Sequence, residues 1–256
     1  MKILLTNDDG INSSGLKMMA EYLGKSNEVF ALAPDSQRSG FSHTMTFRRP
    51  MYFDKIDLKG AKTAYSFSGS PADCVRFAIE FFKFEPDLVI SGPNIGPNLA
   101  HDVHYSGTVG AASEGALLGY NSIAVSCTVK HHDATMAYFD TTCKYIVEKL
   151  DLFAGLNLKR TVLNINVPNV KFEQLAGTKI VPYGRRFFED LYVKEVHPDD
   201  GKIGYKLAGD FACIDKFEET DTYYICKNFV TVTPLSVDIC NYSVMDTLKE
   251  KFDKCK

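Results

Sequence analysis

The sequence predicts an α/β fold in which helices cover both faces of a mostly parallel β-sheet. Along residues 1–168, short apolar runs alternate with segments whose apolar residues recur at helical spacing. Strands that alternate with helices in this way build parallel sheets whose two faces are both buried. The chain has 256 residues, of which 45% are hydrophobic and 24% charged, so it can form a core large enough to fold without staples.

Five apolar runs predict the strands, and turn-forming residues end them. The first run stops at Asn7, the second at Pro34 and the third at Ser91 and Gly92, all residue types that favour turns. The predicted strands are residues 3–5, 29–33, 87–90, 122–126 and 161–167.

Four segments between these runs predict helices, because their apolar residues lie three or four positions apart. The predicted helices are residues 16–23, 72–82, 109–118 and 138–150. The helix at 109–118 is rich in glycine and alanine, which permits close packing against the sheet.

Beyond residue 168 the pattern changes to strands and turns, with aromatic residues and valine interleaved with charge. Gly201, Gly204 and Gly209 punctuate this region, as glycine does at turns and bulges. We find no internal repeat and no flexible linker. We therefore expect a single domain, with an α/β core at about 1–178 and 231–256 and a β-rich extension at about 179–230.

Composition argues against several classes of partner. The net charge of −3 provides no attraction for a polyanionic backbone, so we expect no nucleic-acid polymer as partner. No stretch approaches the roughly 18 apolar residues of a membrane span, so we expect no membrane partner. The seven cysteines form no CxxC pair, and their odd count argues against a disulfide framework. These features predict a soluble, cytoplasmic protein.

Polar, glycine-bearing segments follow the first three predicted strands. They are Asn7–Gly10, Pro34–Gly40 and Ser91–Asn98. In a doubly wound sheet, ligands bind beyond the carboxyl ends of the strands. We therefore expect these three segments to form one site.

The adjacent carboxylates Asp8 and Asp9 indicate a metal site. Gly10 lets the backbone leave strand geometry, so both side chains can face one point. Two carboxylates that close repel each other unless one is protonated or both face a cation. A hard divalent cation accepts oxygen ligands, and Ser39 and Asn94 can add neutral ones. The alternative interpretation is a turn that caps the following helix, for which Asp and Gly are also suited.

Ser106, Gly107 and Thr108 precede the third predicted helix. A helix N-terminus offers backbone N–H groups and a positive dipole end, which suit phosphate. The alternative is a Ser or Thr cap with small residues for tight packing. The segment is not a Walker loop, and residues 91–96 lack the GxGxxG spacing of a dinucleotide site.

Read together, these segments resemble the SurE family (survival protein E). The resemblance rests on five motifs in the family's order, and is strong over residues 1 to about 125. The motifs are ILLTNDDG, APDSQRSG followed by Thr46, SGSPADC, SGPNIGPN and DVHYSGTVGAASEG. Pro93 is a departure, since the family usually has an aliphatic residue there.

The resemblance implies a Rossmann-like three-layer core with a β-rich C-terminal extension used in oligomerisation. It implies a homodimer or homotetramer that hydrolyses nucleoside 5′- and 3′-monophosphates, and possible activity on short polyphosphate. By motif match, one Mg²⁺ or Mn²⁺ per subunit is held by Asp8, Asp9, Ser39 and Asn94. Asp8 and Asp9 are the catalytic pair, and Asn98, Ser106, Gly107 and Thr108 bind phosphate or substrate.

Two interpretations of other classes stay open at this point. The chain can be a nucleotide-binding regulatory module that uses the same edge without hydrolysis. It can also be a Rossmann-type oxidoreductase, which the missing GxGxxG after the first strand disfavours.

Overall fold

The structure is a computed structural model that describes residues 1–129, 138–185, 187–189, 192–197, 201–207, 210–212 and 218–253. Its strands are β1 (Lys2–Thr6), β2 (Glu28–Pro34), β3 (Phe53–Ile56), β4 (Thr63–Phe67), β5 (Leu88–Ile95), β6 (Ser122–Thr128), β7 (Thr161–Pro168), β8 (Gly177–Ile180), β9 (Phe187–Glu189), β10 (Tyr192–Val196), β11 (Ile203–Leu207), β12 (Asp210–Ala212) and β13 (Phe229–Ser236). Its helices are α1 (Ser14–Leu23), α2 (Pro71–Glu80), α3 (Gly107–Leu117), α4 (Phe139–Glu148), α5 (Leu150–Gly155), α6 (Asp221–Ile225) and α7 (Tyr242–Asp253). Short 3₁₀ turns lie at Ala100–His104 and Phe172–Gln174.

Nine strands form one sheet in the order β3-β4-β2-β1-β5-β6-β7-β13-β8. The six strands from β4 to β7 in this order run parallel. Strand β3 pairs antiparallel with β4, and β13 pairs antiparallel with β7 but parallel with β8. The mostly parallel α/β sheet that the sequence predicts is therefore confirmed. From β1 the chain goes first to one side of the sheet, to β2, and later returns to the other side at β5. This reversal is a switch point, where open α/β sheets bind ligands beyond the strand ends.

Successive side chains of β1 enter two different cores. Ile3 and Leu5 pack in the cluster that contains Leu16 of α1 and Ile146 of α4. Leu4 packs on the opposite face, in the cluster with residues of α2 and α3. The alternation of side chains along a strand thus fixes the three layers, and β1 is buried in the middle layer.

Strand β5 extends beyond its predicted end. The prediction ends the strand at residue 90, but pairing with β6 resumes at Asn94 after a register shift that begins at Ser91. Gly92, with φ +125°, lies where an added Cβ would be 2.2 Å from the Val125 carbonyl oxygen. Asn94 is therefore held by a strand and not by a free loop.

Other elements were not predicted from the sequence. Strand β3 is mostly exposed and carries charged residues, so it lacks the apolar run used to identify strands. Strand β4 follows β3 at the same edge of the sheet. Helix α7 has no buried residue and lies beyond the predicted elements.

The C-terminal region contributes both to the main sheet and to separate small sheets. Strands β8 and β13 lie in the nine-stranded sheet, whereas β10 pairs with β11 and β9 pairs with β12. The predicted β-rich character is thus observed, while its use in oligomerisation stays a prediction. Among the described residues, no helix has the length and apolarity needed to cross a membrane.

Substitution of Phe67 tests the core on the face of the sheet that α2 and α3 cover. Its ring is fully buried and stacks on Phe77 at a centroid distance of 4.6 Å. We expect Phe67→Ala to lower the free energy of unfolding by about 3–5 kcal/mol, because it removes apolar contacts and leaves a cavity. Urea denaturation measures this loss. Phe47→Ala, at a ring that is 77% exposed, is the matched control and should change stability by less than about 0.5 kcal/mol. Equal losses in the two variants would contradict the core assignment.

Candidate active site

The three polar segments meet at the carboxyl edge of the sheet, as predicted. The backbone N–H of Arg38 donates to the Asp8 carbonyl at 2.7 Å, which joins the segments after β1 and β2. The N–H of Ile95 donates to Asp9 Oδ2 at 2.9 Å, which joins the segment after β1 to β5. These hydrogen bonds hold the residues that carry the site in one place.

Asn7 forms the turn that presents the two aspartates. Its Oδ1 accepts from the Gly10 N–H at 3.1 Å, and its Nδ2 donates to Ser13 Oγ at 2.7 Å. Gly10 adopts φ +94°, which an L side chain rarely takes. Ser13, in turn, is the N-cap of α1 and accepts from the Leu16 N–H. The N-cap of α1 is thus Ser13, and not Asp8 or Asp9.

Asp8 is buried and is oriented by Thr108. Its side chain is 4% exposed, and Thr108 Oγ1 donates to its Oδ1 at 2.6 Å. Burial raises the pKa of Asp8 to about 6; the hydrogen bond from Thr108 opposes this shift and the charge of Asp9 adds to it. Asp8 is therefore a carboxylate whose charge has incomplete compensation within the chain.

Gly107 allows helix α3 to approach Asp8. A Cβ at this position would lie 2.9 Å from Asp8 Cβ and 3.0 Å from Asp8 Oδ2. Contacts that short do not occur between real atoms without displacement. The helix N-terminus and the buried carboxylate are therefore in direct contact.

Asp9, Ser39 and Asn94 are more exposed to solvent than Asp8. Gln37 Nε2 donates to Ser39 Oγ at 3.0 Å and reaches Asp9 Oδ1 at 3.5 Å, so one amide bridges the two predicted ligands. Asn94 is half-buried, and its Nδ2 donates to the Gly96 carbonyl at 2.9 Å. The bridging Gln37 was not singled out from the sequence, although it lies between predicted site residues.

The start of α3 has both the hydroxyl cap and the unpaired backbone N–H groups for which the sequence offered alternative interpretations. Ser106 is the N-cap, and its Oγ accepts from the Val109 N–H at 3.1 Å. The Thr108 hydroxyl binds Asp8. The N–H groups of Gly107 and Thr108, in the first turn, have no intrahelical acceptor. These backbone groups, and not the hydroxyls, are the ones suited to an anion.

Asn98 is part of a buried amide network. Its Nδ2 donates to Ser126 Oγ at 2.8 Å, and its carbonyl accepts from Asn164 and Asn166. Its own N–H donates to Asn166 Oδ1 at 2.9 Å. The network fixes the chain between β5 and the following 3₁₀ turn. Substrate binding by Asn98 stays a prediction.

A buried carboxylate anchors the segment that carries Ser39. His43 Nε2 lies 2.7 Å from Glu114 Oε2, and Arg76 pairs with Glu114 Oε1 at 2.6 Å. Burial alone would raise the pKa of Glu114, but the contacts with His43 and Arg76 hold it below its ordinary value. Sequence analysis missed this anchor. A charged residue within a helix of small, buried residues was the available signal.

The donor set fits a hard divalent cation. Asp8 and Asp9 supply carboxylate oxygens, and Ser39 and Asn94 supply neutral oxygens, which Mg²⁺ and Mn²⁺ accept. Within the described ranges, no cluster of three or more His, Cys, Asp or Glu residues forms a metal site. A softer ion that requires nitrogen or sulfur ligands has no such cluster there. The buried charge of Asp8, which the hydrogen bond from Thr108 compensates only in part, is the observation that favours a cation here.

Comparisons with known proteins show the family to which this chain is similar. A family model described as survival protein SurE matches residues 3–190. The 5′-nucleotidase SurE of Thermosipho melanesiensis is 38% identical over 255 residues, which cover 99% of this chain and 98% of that protein. The 5′-nucleotidase SurE of Clostridium botulinum (strain Loch Maree) is 39% identical over 257 residues, with 98% and 99% coverage. The crystal structure of the SurE protein from Aquifex aeolicus superposes with a TM-score of 0.83 at 36% identity, covering 98% of this chain and 99% of that chain.

Because the pKa of Asp8 is raised, we expect ionisation of this side chain to lower the stability of the folded protein. The folded protein holds the Asp8 proton up to about pH 6, whereas an aspartate in the unfolded chain has an ordinary pKa near 3.8 and loses its proton there. Stability of the metal-free protein is therefore lost as the pH rises from about 4 to about 6. In EDTA-treated protein, we expect Asp8→Asn to raise the free energy of unfolding by on the order of 2–3 kcal/mol near neutral pH, and by less than about half of that near pH 4.5. Urea denaturation at the two pH values measures the difference.

Asp54→Asn, which removes an exposed carboxylate on β3, is the matched control. The control shows how much of the change in stability comes from removing any carboxylate charge, and the remainder is the cost of burying the charge of Asp8. A gain for Asp8→Asn of the same size at both pH values would show that the charge of Asp8 carries no such cost.

Proposed function

The chain belongs to the SurE family, and from this we propose that it is a divalent-metal-dependent phosphomonoesterase that hydrolyses nucleoside monophosphates. The relatives named 5′-nucleotidase support a nucleotidase that acts on 5′ esters. We also propose that the protein hydrolyses nucleoside 3′-monophosphates and short polyphosphate.

One observation carries this proposal: the N-terminus of α3 touches the buried Asp8 through Gly107. A helix N-terminus binds phosphate, and paired carboxylates bind a cation. Because the two features are in contact, a phosphoryl group bound at one lies beside an ion bound at the other. Metal-assisted hydrolysis of a phosphate ester requires this adjacency.

The side chains divide into a cation-binding set and an anion-binding set. Asp8, Asp9, Ser39 and Asn94 would hold one Mg²⁺ or Mn²⁺ per subunit. Such an ion supplies charge neutralisation for phosphoryl oxygens and lowers the pKa of a bound water. The first N–H groups of α3 would hold the remaining phosphoryl oxygens, where negative charge increases in the transition state.

Asp8 and Asp9 are the catalytic carboxylates of this proposal. In the reaction, an oxygen of water bonds to phosphorus, the ester P–O bond breaks, and the leaving oxygen gains a proton. Of the two, Asp8 is the carboxylate that we propose accepts the proton lost by the attacking water. Thr108 fixes the direction of that carboxylate.

Phosphate release from 5′-AMP and 3′-AMP tests the proposal. We expect EDTA-stripped protein to be inactive, and Mn²⁺ or Mg²⁺ to restore turnover. Asp9→Asn should abolish the restored activity because it removes one charge from the cation site, whereas Asp54→Asn should retain it. Comparison of the two esters ranks 5′ against 3′ activity.

Tight AMP binding with no turnover under any metal would favour the regulatory nucleotide-binding module. Unchanged turnover in Asp9→Asn would contradict the assignment of this edge as the site. Inversion of configuration at a phosphorus made chiral with oxygen isotopes indicates direct attack by water. Retention of configuration, or trapping of a phosphorylated Asp8, indicates that Asp8 attacks phosphorus first and water then hydrolyses the aspartyl phosphate.

Gly107→Ala tests the contact between helix and carboxylate. The added Cβ must displace Asp8 or the helix, so we expect Mn²⁺ affinity and kcat to fall by about 10- to 100-fold, the range found when outer-shell support of a metal site is disturbed. Electron paramagnetic resonance of free Mn²⁺ measures affinity independently of turnover. Gly155→Ala, where no atom lies within 4 Å of an added Cβ, is the control. Wild-type affinity in Gly107→Ala would contradict the proposed arrangement.

A further inference from the structure

Three aromatic side chains form an exposed corner that no role described above uses. The Tyr183 ring lies 5.8 Å from the His101 ring at 70°, and 6.2 Å from the His104 ring at 85°. All three residues are exposed. We refer to His101, His104 and Tyr183 as the aromatic corner. Because the rings are exposed, a flat apolar group can stack on the face of one of them.

The aromatic corner lies beside the proposed phosphate site. His104 is three residues before Gly107, a span of about 11 Å at most. The His104 carbonyl accepts from Ser42 Oγ at 2.6 Å, and the next carbonyl, of Tyr105, accepts from the Ser42 N–H. Ser42 itself follows Ser39 by three residues. The corner therefore borders the segment that carries a predicted metal ligand and the helix end that is suited to phosphate.

A buried carboxylate holds the two halves of the corner together. Asp221 is fully buried, and its Oδ2 accepts from the Ala100 N–H at 3.0 Å while its Oδ1 accepts from the Gly184 N–H at 2.8 Å. Ala100 begins the 3₁₀ turn that carries both histidines, and Gly184 follows Tyr183. One side chain thus ties together two segments that are far apart in sequence. The arrangement of the three rings is built by the fold and is not a chance contact between loose loops.

We propose that the aromatic corner binds the base of the nucleotide, so that its rings determine the preference for nucleotides over other phosphate esters. The inference rests on the proposed function for the location of the phosphate. Aromatic side chains stack on any nucleobase because every base has a π-face. A purine offers a larger face than a pyrimidine, so purine nucleotides bind more tightly than pyrimidine nucleotides at this corner.

A comparison of AMP with ribose 5-phosphate, which lacks a base, tests the corner. In Tyr183→Ala, the KM for AMP should rise by about tenfold or more, the effect expected on losing one stacked ring. The kcat for AMP and both constants for ribose 5-phosphate should stay at wild-type values. Tyr183→Phe keeps the ring and should restore the KM, and His104→Ala should act in the same direction as Tyr183→Ala. Tyr192→Ala, at an exposed tyrosine of β10, is the control.

A purely structural role for Tyr183 would change both substrates alike, and that result would overturn the proposal. Binding of 2-aminopurine ribonucleoside, which carries no phosphate and fluoresces less when stacked, gives a readout that does not depend on hydrolysis. Quenching by wild type but not by Tyr183→Ala supports the corner even if the protein hydrolyses no ester. Equal quenching by the two proteins rejects it, even if the nucleotidase activity is established.

Discussion

The charge of Asp8 is the constraint on which the site depends. A carboxylate that is 4% exposed, next to a second carboxylate and with its pKa raised to about 6, is costly for a protein to keep ionised. The structure compensates this cost only in part, through the Thr108 hydroxyl and the nearby end of α3. A buried charge left in such a state is better explained by a ligand than by stability, because an uncharged residue of the same shape would serve the fold better.

The surrounding architecture brings other groups to this charge. Strand β1 is central, and the chain turns to opposite sides at β2 and β5, so the segments after all three strands open on the same crevice. Small residues then allow close approach: Gly107 brings α3 against Asp8, and Gly110 leaves space for the backbone of Ser42 and His43. The contact between His43 and Glu114 fixes that same segment to α3. Core packing, glycine spacing and one buried ion-pair cluster thus position the same few loops.

Features formed by residues close together in the sequence could be predicted, whereas features formed by residues far apart could not. Local chemistry was sufficient for the turn at Gly10 and for grouping Asp8, Asp9, Ser39 and Asn94 at one edge, because parallel strands bring their carboxyl ends together. The return of β5 to its neighbour after Gly92 was missed, since pairing with β6 depends on a strand more than 25 residues away. The Thr108–Asp8 hydrogen bond spans 100 residues and the Glu114 anchor joins three segments, so neither leaves a periodic pattern in the sequence. Strand β3 was missed for a different reason: an exposed edge strand has no buried face to produce apolar alternation.

The residues that would bind the phosphoryl group differ from those that would bind the alcohol part of the ester. Backbone N–H groups and oxygen ligands contact a phosphoryl group in the same way whether it is attached to a nucleoside, a sugar or another phosphate. Selectivity among esters must therefore come from groups that contact the leaving alcohol, and such groups lie outside the set formed by β1, β2, β5 and α3. Asp221 places one candidate, Tyr183, beside the 3₁₀ turn that precedes α3, although the two segments are about eighty residues apart. The start of the β-rich extension thus reaches the edge of the site, which gives the extension a physical route to influence substrate choice without contacting the phosphoryl group.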